Sequence, residues 1–187
     1  MENLSGTARL ILGMVGAGLR TGYEIRHRVE RSTRFFWTAS NGQLYPELRR
    51  LERAGLLGAS DEPHGERSRV VYELTAEGES ALRGWLTDHT ALVHEVRDEG
   101  LLKFYLADRL TPAEALELVQ AIRAKHERVL DGIRGAGPPD EPGQRFRYLT
   151  WRRGLELNEW LVAWWLERER ELYAELERER ALRAAAP

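Results

Sequence analysis

A chain of 187 residues with 42% hydrophobic and 31% charged side chains reads as a soluble, folded protein, either one domain with extensions or two small ones. No apolar run reaches the roughly 18 residues of a membrane span, and the absence of cysteine excludes disulfides and thiol redox sensing. A net charge of −2 argues against a basic coat. The charge is uneven, however: residues 1–75 hold 11 Arg against 9 Asp/Glu, and residues 76–187 hold 17 Lys/Arg against 21 Asp/Glu. A mildly basic head on an acidic body is compatible with nucleic-acid binding. A cysteine-free chain fits the cytoplasm. No secretion signal is expected, because Arg9 precedes only the short Leu10–Val15 run.

In chain order, Thr7–Val15 predicts a short buried helix with Leu10, Ile11, Met14 and Val15 inward, ended by Gly16-Ala17-Gly18. Thr21 caps a second helix from Gly22 to about Ser32, with Glu24 at the capping-box position and Ile25 and Val29 facing the core. The aromatic run Phe35-Phe36-Trp37 is expected to pack inward. The stretch 40–55 follows. Leu44, Leu48 and Leu51 recur at helical spacing and require a core, Ser40 or Asn41 caps the start, and Gly55 is a left-handed stop. Pro46 should bend or loosen the first turn. Gln43, Tyr45, Arg49, Arg50 and Arg53 occupy the other side, and the free N–H groups near Ser40–Gln43 attract phosphate. Alone, this is also the pattern of a solvated surface helix. As the third of three short helices it takes the recognition position of a helix-turn-helix.

After Gly55 the period changes. Leu56–Ser60 predicts a short strand, Asp61–Glu66 a turn, and Arg69–Leu74 a returning strand with Val70, Tyr72 and Leu74 on one face. This is a wing behind a recognition helix. Arg67 and Arg69, two apart, share a face and can reach phosphates or a minor groove, although solvated arginines on a hairpin have the same spacing.

Gly22-Tyr23-Glu24-Ile25, Asn41-Gly42-Gln43-Leu44-Tyr45-Pro46-Glu47-Leu48 continuing through Leu51-Glu52 to Gly55-Leu56, and Arg69–Gly78 with Tyr72, Leu74, Thr75 and Gly78 resemble the PadR-type winged-helix transcriptional regulators in order and spacing. The resemblance covers residues 7–80. Ser40-Asn41-Gly42-Gln43 departs from the family's frequent Ser-Pro-Gly-Ser, so the operator sequence does not transfer from relatives.

In the second half, Thr75 starts a helix with Leu82, Trp85 and Leu86 on one side, and the apolar segment Leu101–Leu106 follows. Thr111-Pro112-Ala113-Glu114 is a strong helix start, for a helix to about Gly132 on Leu116, Val119, Ile122 and Leu130. Residues 135–143 form a loop. A long helix from about Arg145 to Arg183 carries two apolar lines: Trp151, Leu155, Val162, Trp165 and Leu166, then Leu157, Leu161 and Trp164. Two lines require two partners, one within the chain and one on a second copy. The layout is similar to the helical dimerisation region of longer PadR relatives.

No phosphate loop, metal motif or nucleophile–base pair stands out. His89 and His94 are five apart, and His94-Glu95 with Asp98 and Glu99 reads as solvated helix polarity rather than a metal site. No enzyme, cofactor or membrane partner is expected.

The fold expected is mainly α with a small β-hairpin wing: a winged helix-turn-helix over 1–78 and an α-helical dimerisation and effector region over 79–187. The resemblance implies a homodimeric regulator, a repressor, on palindromic double-stranded operator DNA, released by a small aromatic effector. The helix 41–55 would place Ser40, Asn41, Gln43 and Arg49 nearest bases. Tyr45, Arg50, Arg67 and Arg69 would meet the backbone, with the wing near 61–70. Trp85, Phe104, Tyr105, Trp151, Trp160 and Trp164 are effector candidates, each also suited to packing or dimer contact. The alternative is a winged-helix module for ligand or protein contacts without operator binding.

Overall fold

Helix starts in this chain are fixed by side chains that satisfy the first free N–H groups. The Ser5 hydroxyl accepts from the Ala8 N–H at 3.0 Å and opens α1, Gly6–Gly16. The Thr21–Glu24 capping box opens α2, Gly22–Arg31, and Glu24 accepts from the N–H groups of both Arg20 (2.8 Å) and Thr21 (2.9 Å). The computed structural model describes residues 4–33, 36–37, 40–64, 67–90, 92, 97–139 and 144–184. The chain folds into two compact units, residues 1–94 and 95–187.

The first unit continues with α3, Asn41–Arg53, an antiparallel hairpin of β1, Leu57–His64, and β2, Arg67–Leu74, and α4, Ala76–Thr87. Its core joins Ile11 and Leu12 of α1, Ile25 and Val29 of α2 and Leu44, Leu48 and Leu51 of α3, with Leu57, Tyr72 and Leu82 closing it. The three leucines of α3 are at most 1% exposed, as their spacing requires. Each fully buried Leu contributes roughly 1.5–3 kcal/mol. Pro46 does not end α3, which runs unbroken through it; its missing N–H removes only the partner of the Gly42 carbonyl.

The end of α3 is tied to α4. Gly55 takes φ +71°, the left-handed stop expected of it. The Thr75 hydroxyl donates to the Gly55 carbonyl at 2.7 Å and accepts from the Gly78 N–H at 3.0 Å. A Cβ on Gly78 would lie 2.0 Å from the Leu56 carbonyl oxygen, so only glycine fits there. With Leu82 in the same core, α4 belongs to the first unit, and that unit extends past the 78/79 boundary expected from sequence.

Several local expectations differ. The strands run two to four residues further into the wing, pairing Asp61 with Val70, Glu62 with Arg69 and Pro63 with Ser68, because both strands of a two-stranded sheet are edges and an edge tolerates proline. Phe36 and Trp37 are 57% and 45% exposed rather than packed inward, the core being already filled from α1 to α3; Phe35 lies outside the described residues. Trp85 and Leu86 are exposed beyond Leu82, and Arg9 lies over the Trp85 ring at 5.7 Å.

The second unit holds α5, Glu99–Tyr105, a short 3₁₀ turn at Ala107–Arg109, α6, Pro112–Ala136, and α7, Arg145–Ala184. The Thr111–Glu114 box with Pro112 opens α6. That helix passes the expected stop at Gly132 because Ile133 is still buried, and ends before Gly137 at φ +67°. Ion pairs Arg123–Glu169 (2.6 Å) and Arg134–Glu159 (2.9 Å) set α6 and α7 antiparallel. Val119, Ile122 and Trp165 form the centre of this core.

Replacing Gly78 by alanine should destabilise the first unit by about 3 kcal/mol or more, since backbone must move to admit the methyl group. Chemical denaturation followed by circular dichroism measures it; an unchanged midpoint would contradict the Leu56–Gly78 approach.

Candidate nucleic-acid interface

An amphipathic helix that buries Leu44, Leu48 and Leu51 must turn its other side to solvent. On that side Gln43, Tyr45 and Arg49 are exposed or partly so, while Arg50 is half-buried. Tyr45 lies against Gly22, where a Cβ would sit 2.7 Å from its ring; this close approach explains the glycine of the Gly-Tyr-Glu element. Tyr23, Tyr45 and Arg49 line a groove of about 530 Å³ with Asp61, Arg69 and Val70 of the wing. The structure thus brings Tyr45, Arg49 and Arg69 to one groove.

The remaining α3 residues are partly committed to neighbours. Gln43 folds back so that its side-chain oxygen accepts from the Ser40 N–H at 3.1 Å and the Ser40 hydroxyl at 3.2 Å, closing the helix start. Arg50 forms a two-pronged bond to Glu47, at 3.0 and 3.1 Å, and Ser5 donates to the same carboxylate at 2.5 Å. The Arg50 bond holds the Glu47 carboxyl below the usual range, against partial burial and with help from Ser5. Asn41 begins α3 and Arg67 begins β2, but their side chains lie outside the described residues.

Sequence reasoning missed Arg20. This residue, between α1 and α2, reaches Glu62 at 2.9 Å and Glu73 at 2.8 Å, and its carbonyl accepts from the Tyr72 N–H at 2.7 Å. Glu62 also meets Arg69 at 3.3 Å. The only signal in the sequence is a non-periodic arginine and an acidic wing, and pattern alone does not pair residues so far apart.

Most effector candidates lie in the second unit. Phe104, Trp164 and Trp165 meet edge to face, with centroids 4.8–6.0 Å apart, and Arg168 lies 5.0 Å over Trp164. A cavity of about 590 Å³ is lined by Asp98, Leu101, Leu102, Phe104 and Tyr105. Trp151 donates to the Ile133 carbonyl at 3.1 Å, tying α7 to α6, and Trp160 is exposed. Trp85 belongs to the first unit instead. Trp165, which sequence reasoning places on an apolar line of the long helix and not among the effector candidates, is central to the ring cluster.

Among the described residues no group of His, Asp and Glu is arranged to hold a metal, and no helix is long and apolar enough to cross a membrane. His94 and Glu95 lie outside the described residues.

Three helices, a hairpin wing and an outward third helix define a winged helix-turn-helix protein. Residues 11–84 match the model of the transcriptional regulator PadR-like family, and residues 96–173 match that named virulence activator alpha C-term. The negative transcriptional regulator PadR of Bacillus subtilis is 29% identical over 82% of this chain and 90% of its own. The crystal structure of B. subtilis PadR with operator DNA superposes with a TM-score of 0.79, at 27% identity over 88% of this chain and 98% of that one. The structure of the same protein with p-coumaric acid gives 0.71 at 27% identity, over 88% and 97%. Residues 11–84 thus match the PadR-like family of transcriptional regulators, and over most of its length the chain is similar to B. subtilis PadR.

Because Glu47 titrates below its ordinary value when folded, its ionised form contributes stability that is complete above about pH 4.5 and is lost as pH falls through the folded value. Glu47→Gln should lower stability by about 1–3 kcal/mol at neutral pH. The difference from the unmodified protein should be constant from about pH 6 to about 5 and shrink as pH is lowered further toward about 3. Thermal melts across that range test this, and a constant difference would contradict an ionised Glu47 at the α1–α3 contact.

Proposed function

We propose that the chain is a homodimeric transcriptional repressor that binds palindromic double-stranded operator DNA and is released by a small aromatic effector. The observation that carries this reading is the groove in which Tyr45 and Arg49 of α3 face Arg69 of the wing. Negative regulation by B. subtilis PadR, and its structures with operator DNA and with p-coumaric acid, support it. In this reading α3 enters the major groove. Ser40, Asn41, Gln43 and Arg49 lie nearest bases, Tyr45, Arg67 and Arg69 contact backbone, and Arg50 adds charge from the flank while clamped to Glu47. The protein works in the cytoplasm, needs no cofactor and has no catalytic role.

A second copy follows from what one chain leaves uncovered. Leu101, Leu102, Tyr105 and Leu106 around α5, with Leu157 and Trp160 on α7, are 39–79% exposed. Covering them in a two-fold dimer would set two α3 helices on half-sites about 34–36 Å apart. The Phe104–Trp164 surroundings are where a flat aromatic ligand would bind, with Tyr105, Trp151, Trp160 and Trp85 as further candidates. A ligand that shifts the dimer contact changes DNA affinity through linkage.

The commitment of Arg50 and Arg69 to internal carboxylates favours a second reading, a winged-helix module for protein or ligand contacts. A gel shift with the DNA upstream of the chain's own gene separates the two. A specific band at micromolar dimer, lost on adding p-coumarate or a related aromatic acid, is expected; no specific band under any condition favours the module.

Arg69→Ala should weaken binding to all duplexes and reduce the salt slope by about 1. An unchanged slope removes the wing from the backbone contact. Gln43→Ala should instead alter the ranking of operator variants, and uniform weakening would show that Gln43 positions the helix without reading bases.

A further inference from the structure

The wing carries its own substitute for phosphate. Glu62 on β1 stands directly across the hairpin from Arg69 on β2, and its carboxylate bridges two guanidinium groups, Arg20 at 2.9 Å and Arg69 at 3.3 Å. Arg20 has a second acidic partner in Glu73 at 2.8 Å. The groove beside them adds Arg49, Glu52 and Asp61, so its lining is balanced in charge. A guanidinium offered to DNA is therefore already neutralised, at a position about a third to a half exposed to water.

We infer that Glu62 is an affinity-setting residue of the wing, an intramolecular competitor that DNA phosphate must displace from Arg69. This rests on the DNA-binding reading above. The geometry makes the exchange cheap. A partly exposed pair is weak, and the carboxylate released from Arg69 keeps its shorter bond to Arg20 instead of being left without a partner. Arg69 exchanges one oxygen acceptor for another, and Arg20 holds Glu62 at the root of the wing. The consequence is a lower affinity for every duplex than the arginine count suggests, and a slightly shallower dependence on salt, because a carboxylate left with one guanidinium in place of two regains part of the counterion charge that the phosphate loses. Phosphate is common to every duplex, so this restraint operates on chromosomal DNA as much as on an operator.

The test uses the full-length protein and fluorescence anisotropy on a scrambled duplex of about 30 base pairs, long enough for two half-sites, beside the duplex upstream of the gene. Glu62→Gln should tighten binding to both by about three- to fivefold, the scale of opening one partly exposed pair, and steepen the salt slope by only a fraction of the change on removing Arg69, since Glu62 keeps Arg20 when released. Glu73→Gln removes the same charge beside Arg20 without touching Arg69, and should leave affinity unchanged. In an Arg69→Ala background the gain from Glu62→Gln should vanish. Thermal melts of each variant check that the hairpin core is intact. Unchanged or weaker binding by folded Glu62→Gln, an equal gain from Glu73→Gln, or a gain that persists without Arg69 would each overturn the inference while operator binding stands. Failure of every variant and of the unmodified protein to bind either duplex would instead overturn the functional reading, and this inference with it.

Discussion

The inner edge of α3 governs the first unit. Leu44, Leu48 and Leu51 are sealed against Ile11, Leu12 and Ile25, and a helix cannot bury one edge without presenting the other. Rotation about the helix axis is thereby fixed by apolar burial, and polar contacts then refine it. Ser5 and Arg50 hold Glu47 from two sides, so the start of α1 and the middle of α3 share one carboxylate. At the far end Thr75 joins the Gly55 carbonyl to the Gly78 N–H, and the hairpin leaves α3 at an angle that those bonds determine. The polar outer edge of α3 is thus positioned by residues on its buried side and at its ends.

In the second unit polar groups serve register rather than reach. Arg123 with Glu169 and Arg134 with Glu159 pin α6 to α7 along one side. Between them the buried Asn158 donates to the Gly154 carbonyl at 2.8 Å, and buried His126 lies near it. Burial pushes the His126 imidazole below its ordinary value, against Asp98 and Asn158, which favour the charged form. The His126 Nε2 and Trp165 Nε1 atoms are enclosed with no hydrogen-bond partner among the described residues. Apolar packing alone would let two long helices slide, and a few paired charges make one alignment preferable.

Features encoded over a few residues are legible in the sequence. The Thr21–Glu24 and Thr111–Glu114 boxes, the Gly55 stop and the leucine period of α3 are local patterns with local causes. The wing reads too short in sequence because Asp61-Glu62-Pro63 has turn composition, and a bare edge accepts what an inner strand would refuse. Trp85, Leu86 and Trp37 read as inward because hydrophobicity suggests burial, while the core is built from other residues and leaves them 40–61% exposed. Arg20 and Glu62 are invisible in sequence because their pairing depends on how the wing folds back over the α1–α2 turn, which no spacing rule contains. Phe104 stands out singly, and its meeting with Trp164 and Trp165 requires α5 to come against α7.

A sheet of only two strands has two flanks, and beyond the Tyr72 N–H, which is bonded to the Arg20 carbonyl, each is a template on which another chain could extend the ladder. This hairpin guards itself: Pro63 offers no N–H, and Asp61, Glu62 and Arg69 place charge along the ribbon where a neighbour would have to lie. The side chains that give the wing its chemistry therefore also protect it from self-association. A regulator made more hydrophobic there in search of tighter contacts would risk becoming a seed for aggregates.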